Sequence, residues 1–312
     1  MIQILLFIIG LGILLFGADL FVDGAIGIAY KRGVPSLFVG LTLVAMGTSL
    51  PEAAISMMAS VNQNGGIAVG NVFGSNILNI LIILGICALI RPLFVAKSTI
   101  YIELPFLIFV SLITCLLGFD NKYTFIDGIV FLLLFGIYLL YLYYLAKNGR
   151  ETNEIVEKVS DNNIKYYMLI LFGLVMVILG SRLVVNAAVY FASALGISDR
   201  VIGLTIVALG TSLPELFTSV IATIKNKPEI AIGNIVGSNI FNILFVLGAS
   251  SVLNPISFQT KFRYDGLIMV LVAVLLWLLA IRRKELARMS GIIFLFCIIL
   301  YWGQMIFFPA QI

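Results

Sequence analysis

Apolar residues along the chain fall into long blocks separated by short polar stretches. Read as helices, the blocks span residues 3–29, 36–62, 67–90, 99–118, 124–146, 165–192, 199–224, 230–253, 264–281 and 290–308. Each is long enough to cross a hydrocarbon core about 30 Å thick. The one long polar stretch is 147–164. It divides ten expected transmembrane helices into two groups of five, 1–146 and 165–312, joined by a linker. Composition agrees: 62% of the 312 residues are apolar and 11% are charged, where a soluble domain carries about a quarter charged residues. Mean hydropathy is +1.15. A water-soluble enzyme is excluded, and the expected class is an all-α membrane protein.

The charges orient it. With the N-terminus outside, the inner loops hold 14 of the 19 basic residues, among them Lys31, Arg32, Arg91, Lys97, Lys225, Lys227, Arg282 and Arg283. Lys122, Arg200, Lys261 and Arg263 fall outside, and Arg182 lies within the sixth helix. The bias places both termini outside. The first residues carry no basic region and no small-residue cleavage site, so they read as a first membrane helix rather than a secretory signal. The net charge of +4 involves no basic cluster interleaved with aromatics, so nucleic acid is not an expected partner. Histidine is absent, which removes His-based zinc sites and proton relays. Cys87, Cys115 and Cys297 stand singly in apolar runs and read as small hydrophobes.

The strongest signal is internal. Residues 40–52 read GLTLVAMGTSLPE and residues 203–215 read GLTIVALGTSLPE, identical at 11 of 13 positions with an offset of 163. Residues 70–79 (GNVFGSNILN) and 233–242 (GNIVGSNIFN) match at 7 of 10 positions with the same offset. The chain is therefore a duplicated five-helix unit. Five is odd, so the second unit starts on the opposite face from the first, and the repeats are expected to be inverted. Inverted repeats with interrupted helices mark many secondary transporters, whose sites lie near the midplane at the repeat interface.

Pro51 and Pro214 lie inside the second and seventh helices. Neither can donate an N–H to the carbonyl four residues earlier, Gly47 or Gly210, so these two helices are expected to be discontinuous. In a bilayer a released carbonyl must find another partner or line a polar cavity. Helical spacing puts Ala45, Thr48, Ser49 and Glu52 on one stripe, and Ala208, Thr211, Ser212 and Glu215 on its copy. Asn71, Ser75 and Asn79 are spaced by four, and Asn234, Ser238 and Asn242 repeat them. All of these groups offer hard oxygens, the ligands that Ca²⁺ takes at six to eight positions. Soft transition metals are poorly served. An isolated Ser or Gly in such helices most often serves backbone bonding or close packing. A carboxylate at mid-membrane costs at least ~2.5 kcal/mol, so Glu52 and Glu215, at matched positions beside matched prolines, read as functional.

Other polar residues are weaker candidates. Asn71 and Asn234 stand near helix starts and read as caps. Asn76 and Asn239 lie about 100° from the Ser75/Asn79 face and read as helix contacts. Asp19, Asp23 and Arg182 read as interfacial anchors. Glu103, Asp127 and Asp265 lie near helix starts, where negative charge suits the dipole.

The paired GTSLPE segments, each followed by GNxxGSN, resemble the two alpha repeats of the cation/calcium exchanger superfamily, and most closely those of its sodium/calcium exchangers. The resemblance extends over the whole ten-helix layout. It implies exchange of Na⁺ for Ca²⁺ by alternating access, with helices 2, 3, 7 and 8 as a core across which helices 1 and 6 slide. It implies that Glu52 and Glu215 are central metal ligands. Around them it implies Thr48 and Thr211, the Ala45 and Ala208 carbonyls, the hydroxyls of Ser49, Ser212, Ser75 and Ser238, and Asn79 with Asn242. Some relatives, including the potassium-dependent branch, carry Asp at the second of the last two positions; the neutral Asn242 argues against potassium co-transport. No cofactor beyond the transported ions and no obligatory protein partner is expected, and residues 147–164 are too short for a calcium-sensing domain. A calcium/proton exchanger of the same superfamily is the nearest alternative, although those typically carry GNxxE where this chain has GTSLPE. A channel needs no alternating access. An intramembrane hydrolase would need a dyad or an HExxH motif, which the sequence lacks.

Overall fold

A computed structural model of the chain describes residues 2–148, 163–194, 208–260 and 262–307. Its helices are α1 (Ile2–Arg32), α2 in two pieces (Ser36–Thr48 and Leu50–Val61), α3 (Gly65–Ile90), α4 (Thr99–Asp120), α5 (Phe125–Asn148), α6 (Asn163–Ala194), α7 in two pieces (Ala208–Thr211 and Leu213–Ile224), α8 (Pro228–Leu253), α9 (Phe262–Arg283) and α10 (Arg288–Phe307). Among the described residues seven helices are long and apolar enough to cross a membrane, or eight when bent α2 counts as one span. Leu213–Ile224 and Arg288–Gly303 are shorter apolar helices. Most of the expected linker, and residues 199–207 of the expected seventh helix, lie outside the described residues.

The two breaks have a local cause. The pieces of α2 meet at 47°. The turn falls at Ser49 (φ −84°, ψ 8°), two residues ahead of the proline, and Ser212 repeats it (φ −88°, ψ 5°). Each proline thus occupies the first turn of a new helix, where its missing N–H leaves no bond unmade. Each serine stands at the N-cap, yet neither hydroxyl caps its helix; both are engaged elsewhere.

Among the described residues four π-helical stretches were not expected from the sequence: Gly40–Val44, Asn79–Leu84, Thr99–Glu103 and Asn242–Leu247. A π-turn inserts a residue into the helical ladder, and such turns cluster at functional sites. Two of them begin at Asn79 and Asn242, candidates for the site.

The core is built on α3 and α8. In their most apolar windows 72% and 94% of the residues are buried, against 28–39% in α1, α4, α5, α6 and α9. The latter turn Leu, Ile and Phe outward, as with Leu133, Ile137 and Leu140 on α5, the surface expected against lipid. Alpha-carbon positions approach closely where glycine permits it. A Cβ on Gly17 of α1 would lie 2.6 Å from that of Met176, and one on Gly173 of α6 would lie 2.5 Å from the Phe21 nitrogen. The first piece of α2 meets α8 in the same way at Gly40 and Gly233.

Two short ribbons tie the ends together. β1 (Leu93–Phe94) pairs antiparallel with β4 (Glu285–Leu286), and β2 (Lys122–Tyr123) pairs with β3 (Ile256–Ser257). Leu93 faces Leu286 in one and Tyr123 faces Ile256 in the other. Adding 163 to Leu93 and Tyr123 gives Ile256 and Leu286, so the ribbons map onto each other when the halves are exchanged. The 22 residues of α4 lie between β1 and β2, roughly 33 Å of helix. The ribbons therefore sit at opposite ends of the bundle, and α3 and α8, which lead into β1 and β3, end at opposite ends too.

At the start of α5, Thr124 and Asp127 form a reciprocal cap. The Asp127 carboxylate accepts from the Thr124 N–H and hydroxyl at 2.7 Å each, and the Asp127 N–H donates to the Thr124 hydroxyl at 3.4 Å.

Candidate functional site

Glu52 and Glu215 open the second pieces of α2 and α7, and both side chains are fully buried (1% and 0% exposed). The serine at each break reaches the carboxylate of the other half. Ser49 Oγ donates to Glu215 Oε1 at 2.8 Å, and Ser212 Oγ lies 3.4 Å from Glu52 Oε1. The Thr211 and Thr48 side chains also face Glu52 and Glu215, respectively. This explains the uncapped serines: two broken helices meet head to head, and their hydroxyls serve the opposing acids.

The backbone beneath each carboxylate is held by an asparagine. Asn71 Nδ2 donates to the Glu52 carbonyl at 3.2 Å and to Ser56 Oγ at 2.9 Å. Asn234 Nδ2 donates to the Glu215 carbonyl at 3.3 Å and to Ser219 Oγ at 2.9 Å. Neither is a cap; the residues ahead of α3 and α8 are Asn64 and Lys227, and both asparagines lie well inside their helices. Asn234 Oδ1 also accepts from the Thr48 hydroxyl at 3.1 Å.

The remaining ring residues close from α3 and α8. Ser75 donates to the Asn71 carbonyl at 2.7 Å, and Ser238 lies 3.3 Å from the Ala45 carbonyl. Thr48 Oγ1 reaches the same carbonyl at 3.3 Å and that of Val44 at 3.0 Å. Ala208 begins the described part of α7. Asn79 Nδ2 donates to Asn239 Oδ1 at 3.0 Å, and Asn242 Nδ2 donates to Ser75 Oγ and Asn76 Oδ1 at 3.2 Å each. Among the described residues nine buried side-chain oxygens have no hydrogen-bond partner, and four of them are Glu52 Oε2, Glu215 Oε2, Asn79 Oδ1 and Asn242 Oδ1. An unmet buried oxygen costs about 1–3 kcal/mol, more when charged. Two carboxyl and two amide oxygens, with hydroxyls around them, form an acceptor set suited to a hard cation.

Several weaker expectations change. Asn76 and Asn239 are indeed helix contacts, but they also bond the amides of Asn242 and Asn79. Asp19 and Asp23 are more than anchors: Lys225 Nζ lies 2.8 and 2.5 Å from their carboxylates. Glu103, near the start of α4 as expected, is fully buried, and the Tyr141 hydroxyl donates to it. Asp265 accepts from the Tyr301 hydroxyl at 2.9 Å. Of these, the Asn71 and Asn234 clamps had a signal in the sequence, the i, i+4, i+8 series with Ser75/Asn79 and Ser238/Asn242; their partners on the preceding helix did not.

Comparison with known proteins shows the family. The family model described as sodium/calcium exchanger protein matches residues 2–144 and 165–307, the second match beginning and ending 163 residues after the first. The putative antiporter CaxA of Alkalimonas amylolytica is 37% identical over 292 residues, covering 91% of this chain and 92% of that one. The sodium/calcium exchanger MaX1 of Methanosarcina acetivorans is 30% identical, with 94% and 95% covered. A structure of the sodium-calcium exchanger NCX_Mj, soaked with Na⁺ and Sr²⁺, superposes with a TM-score of 0.85 at 34% identity, over 96% of this chain and 97% of that one. The chain is a multi-pass membrane protein and belongs to the sodium/calcium exchanger family.

Proposed function

We propose that the protein is a secondary active antiporter that exchanges Na⁺ for Ca²⁺ by alternating access, at a site made by Glu52, Glu215, Thr48, Thr211, Ser49, Ser212, Ser75, Ser238, Asn79, Asn242 and the carbonyls of Ala45 and Ala208. The observation that carries this reading is the set of four unpartnered oxygens on Glu52, Glu215, Asn79 and Asn242, buried where two broken helices meet. Ca²⁺ and Na⁺ both take such oxygens, and both are substrates here rather than resident cofactors. No other cofactor and no protein partner is part of the proposal.

The architecture proposed with it is ten transmembrane helices in two inverted five-helix repeats, 1–146 and 165–312, joined by a cytoplasmic linker at 147–164, with both termini outside. The two family matches at an offset of 163, the exchange-symmetric ribbons at opposite ends and the crossed Ser–Glu bonds support it.

Charge gives the coupling. The ionised carboxylates supply −2, and the two asparagines supply none. One Ca²⁺ neutralises the pair, as do two Na⁺. An unneutralised pair at mid-membrane is costly, which disfavours return of an empty site and favours obligatory exchange. A third Na⁺ on the serine hydroxyls and the Ala45 and Ala208 carbonyls leaves the sodium-loaded core at +1, and exchange then carries net charge. The test is Ca²⁺ uptake into proteoliposomes under an imposed Na⁺ or pH gradient, with the potential clamped by valinomycin and K⁺. Uptake driven by Na⁺ and shifted by the clamp is expected, at about 2.3 kcal/mol per charge per 100 mV. Uptake driven by a pH gradient without sodium would make the protein a calcium/proton exchanger, and uptake indifferent to the clamp would make exchange electroneutral.

A further inference from the structure

Asn76 and Asn239 lie outside the proposed ligand set, yet each is tied to both halves of the molecule. Asn239 Nδ2 donates to the backbone carbonyl of Asn76 at 3.1 Å, and Asn76 Nδ2 donates to the carbonyl of Asn239 at 3.1 Å. Both side chains are 1% exposed. The pair is reciprocal, so α3 and α8 are clasped at one level by two equivalent bonds.

The polarity of this clasp is determined. A backbone carbonyl only accepts, so the group that faces it must be the amide N–H. With its Nδ2 on the Asn76 carbonyl, Asn239 presents Oδ1 in its other direction, and that oxygen accepts from Asn79 Nδ2 at 3.0 Å. Asn79 is then turned with its own Oδ1 pointing away, buried and unpartnered. The mirror sequence runs from the Asn239 carbonyl through Asn76 to Asn242, whose Nδ2 meets Asn76 Oδ1 and Ser75 Oγ and whose Oδ1 is likewise buried and unpartnered. Flipping either Asn79 or Asn242 would oppose two amide oxygens at about 3 Å and turn an NH₂ toward the site. An NH₂ repels a cation, whereas an amide oxygen binds it.

We propose that Asn76 and Asn239 are positioning residues of the cation site: each holds the amide of the opposite repeat, Asn242 or Asn79, with its oxygen toward the cation, through a one-way relay anchored on a backbone carbonyl. This rests on the reading that Asn79 and Asn242 face the transported ion. It also means that neither repeat completes its own ligand: Asn79 is oriented by α8, and Asn242 by α3. An outer partner that fixes a ligand's orientation is typically worth 10–100-fold in metal affinity.

A carboxylate distinguishes orientation from mere packing, because it offers an oxygen whichever way it is turned. The experiment is Ca²⁺ titration calorimetry on the purified full chain, with monodispersity in detergent as the folding control. Asn239→Ala is expected to weaken Ca²⁺ binding by ~10–100-fold. In the Asn79→Asp background the same substitution is expected to cost less than about threefold, since an aspartate has no NH₂ to turn inward. Asn76→Ala tested with and without Asn242→Asp is the mirror arm, and serves if Asn239→Ala does not extract as a folded protein. An equal loss in both backgrounds, in whichever arm folds, would make these residues structural clasps and overturn the proposal. Glu52→Gln, measured alongside, separates the two readings: retained Ca²⁺ affinity there would remove the site itself, whereas its loss together with a background-independent asparagine effect would remove only the positioning role.

Discussion

The Glu52 carbonyl and Ser56 receive Asn71 at 3.2 and 2.9 Å, and the Glu215 carbonyl and Ser219 receive Asn234 at 3.3 and 2.9 Å. At the far end of α7 the halves do not correspond at all. Lys225 bridges Asp19 and Asp23 of α1, and the positions 163 residues away hold Asn62, Arg182 and Asn186. Two carboxylates and an ammonium stand against one guanidinium and two amides, which cannot form an opposite-charge pair among themselves. The repeats agree around the buried carboxylates, where the proposed site lies, and diverge where α1 meets the end of a core helix. Duplication has thus been kept at the centre and relaxed at the rim. If the protein alternates access as proposed, its two end states are energetically unequal even though the proposed site is close to symmetric.

The largest effects are expected at the centre of the molecule. Glu52→Gln or Glu215→Gln removes half of the site's negative charge with little change in shape. Loss of one member of a buried charge set costs about 3–5 kcal/mol, so Ca²⁺ uptake should fall by at least about 100-fold in either variant while the protein still extracts as a folded species. The two should be equally impaired. Near-normal flux in one of them would show that the halves contribute unequally and would remove that carboxylate from the site.

The prolines come next. In Pro51→Ala and Pro214→Ala the new N–H can carry the helical ladder back across the turn at Ser49 or Ser212 and straighten the helix. Transport should decline more than thermal stability does. Unchanged Na⁺ and Ca²⁺ affinities in both would show that the bend has no part in forming the site.

Asn71→Ala and Asn234→Ala each delete one amide that serves two acceptors, half-buried at Asn71 and buried at Asn234, a loss of about 1–3 kcal/mol. Melting temperatures in detergent should drop by similar amounts in the two, and a clear inequality would mean that the matched distances conceal different loads. The smallest effect belongs to the rim. The Lys225 ion pairs are partly exposed, with Asp19 and Asp23 side chains 44% and 49% accessible, so the contact is worth about 0–1 kcal/mol. Lys225→Met should therefore alter the ratio of apparent Ca²⁺ affinities on the two sides of the membrane by no more than about fivefold, and the shift should shrink in high salt. A shift that ignores salt would be due to packing rather than charge.

Much of this was legible in the sequence because it is written in local patterns. The offset of 163, the proline-broken GTSLPE segments and the four-residue spacing of Asn71, Ser75 and Asn79 depend only on neighbours along the chain. What escaped depends on partners far away. Asn71 reads as a helix cap until the second piece of α2 folds back and brings the Glu52 carbonyl to it. Asn76 and Asn239 read as packing until each is seen bonding the backbone of the other. Glu103 reads as a helix-start charge, and only the approach of α5 delivers Tyr141 to it. The break falls at Ser49 rather than at Pro51 because a helix can restart with proline in its first turn. The π-turns at Asn79 and Asn242 leave no mark on composition or periodicity.

In the proposed function one cation is held by oxygens from both repeats at once. Its most direct test is an anomalous difference map from crystals of this chain soaked in Ca²⁺. The expected result is a peak between the two breaks, within about 2.3–2.6 Å of a carboxylate oxygen of Glu52 and one of Glu215, with Asn79 and Asn242 presenting Oδ1 toward it. A peak bound by one repeat alone, or one outside the α2, α3, α7 and α8 crossing, would contradict it.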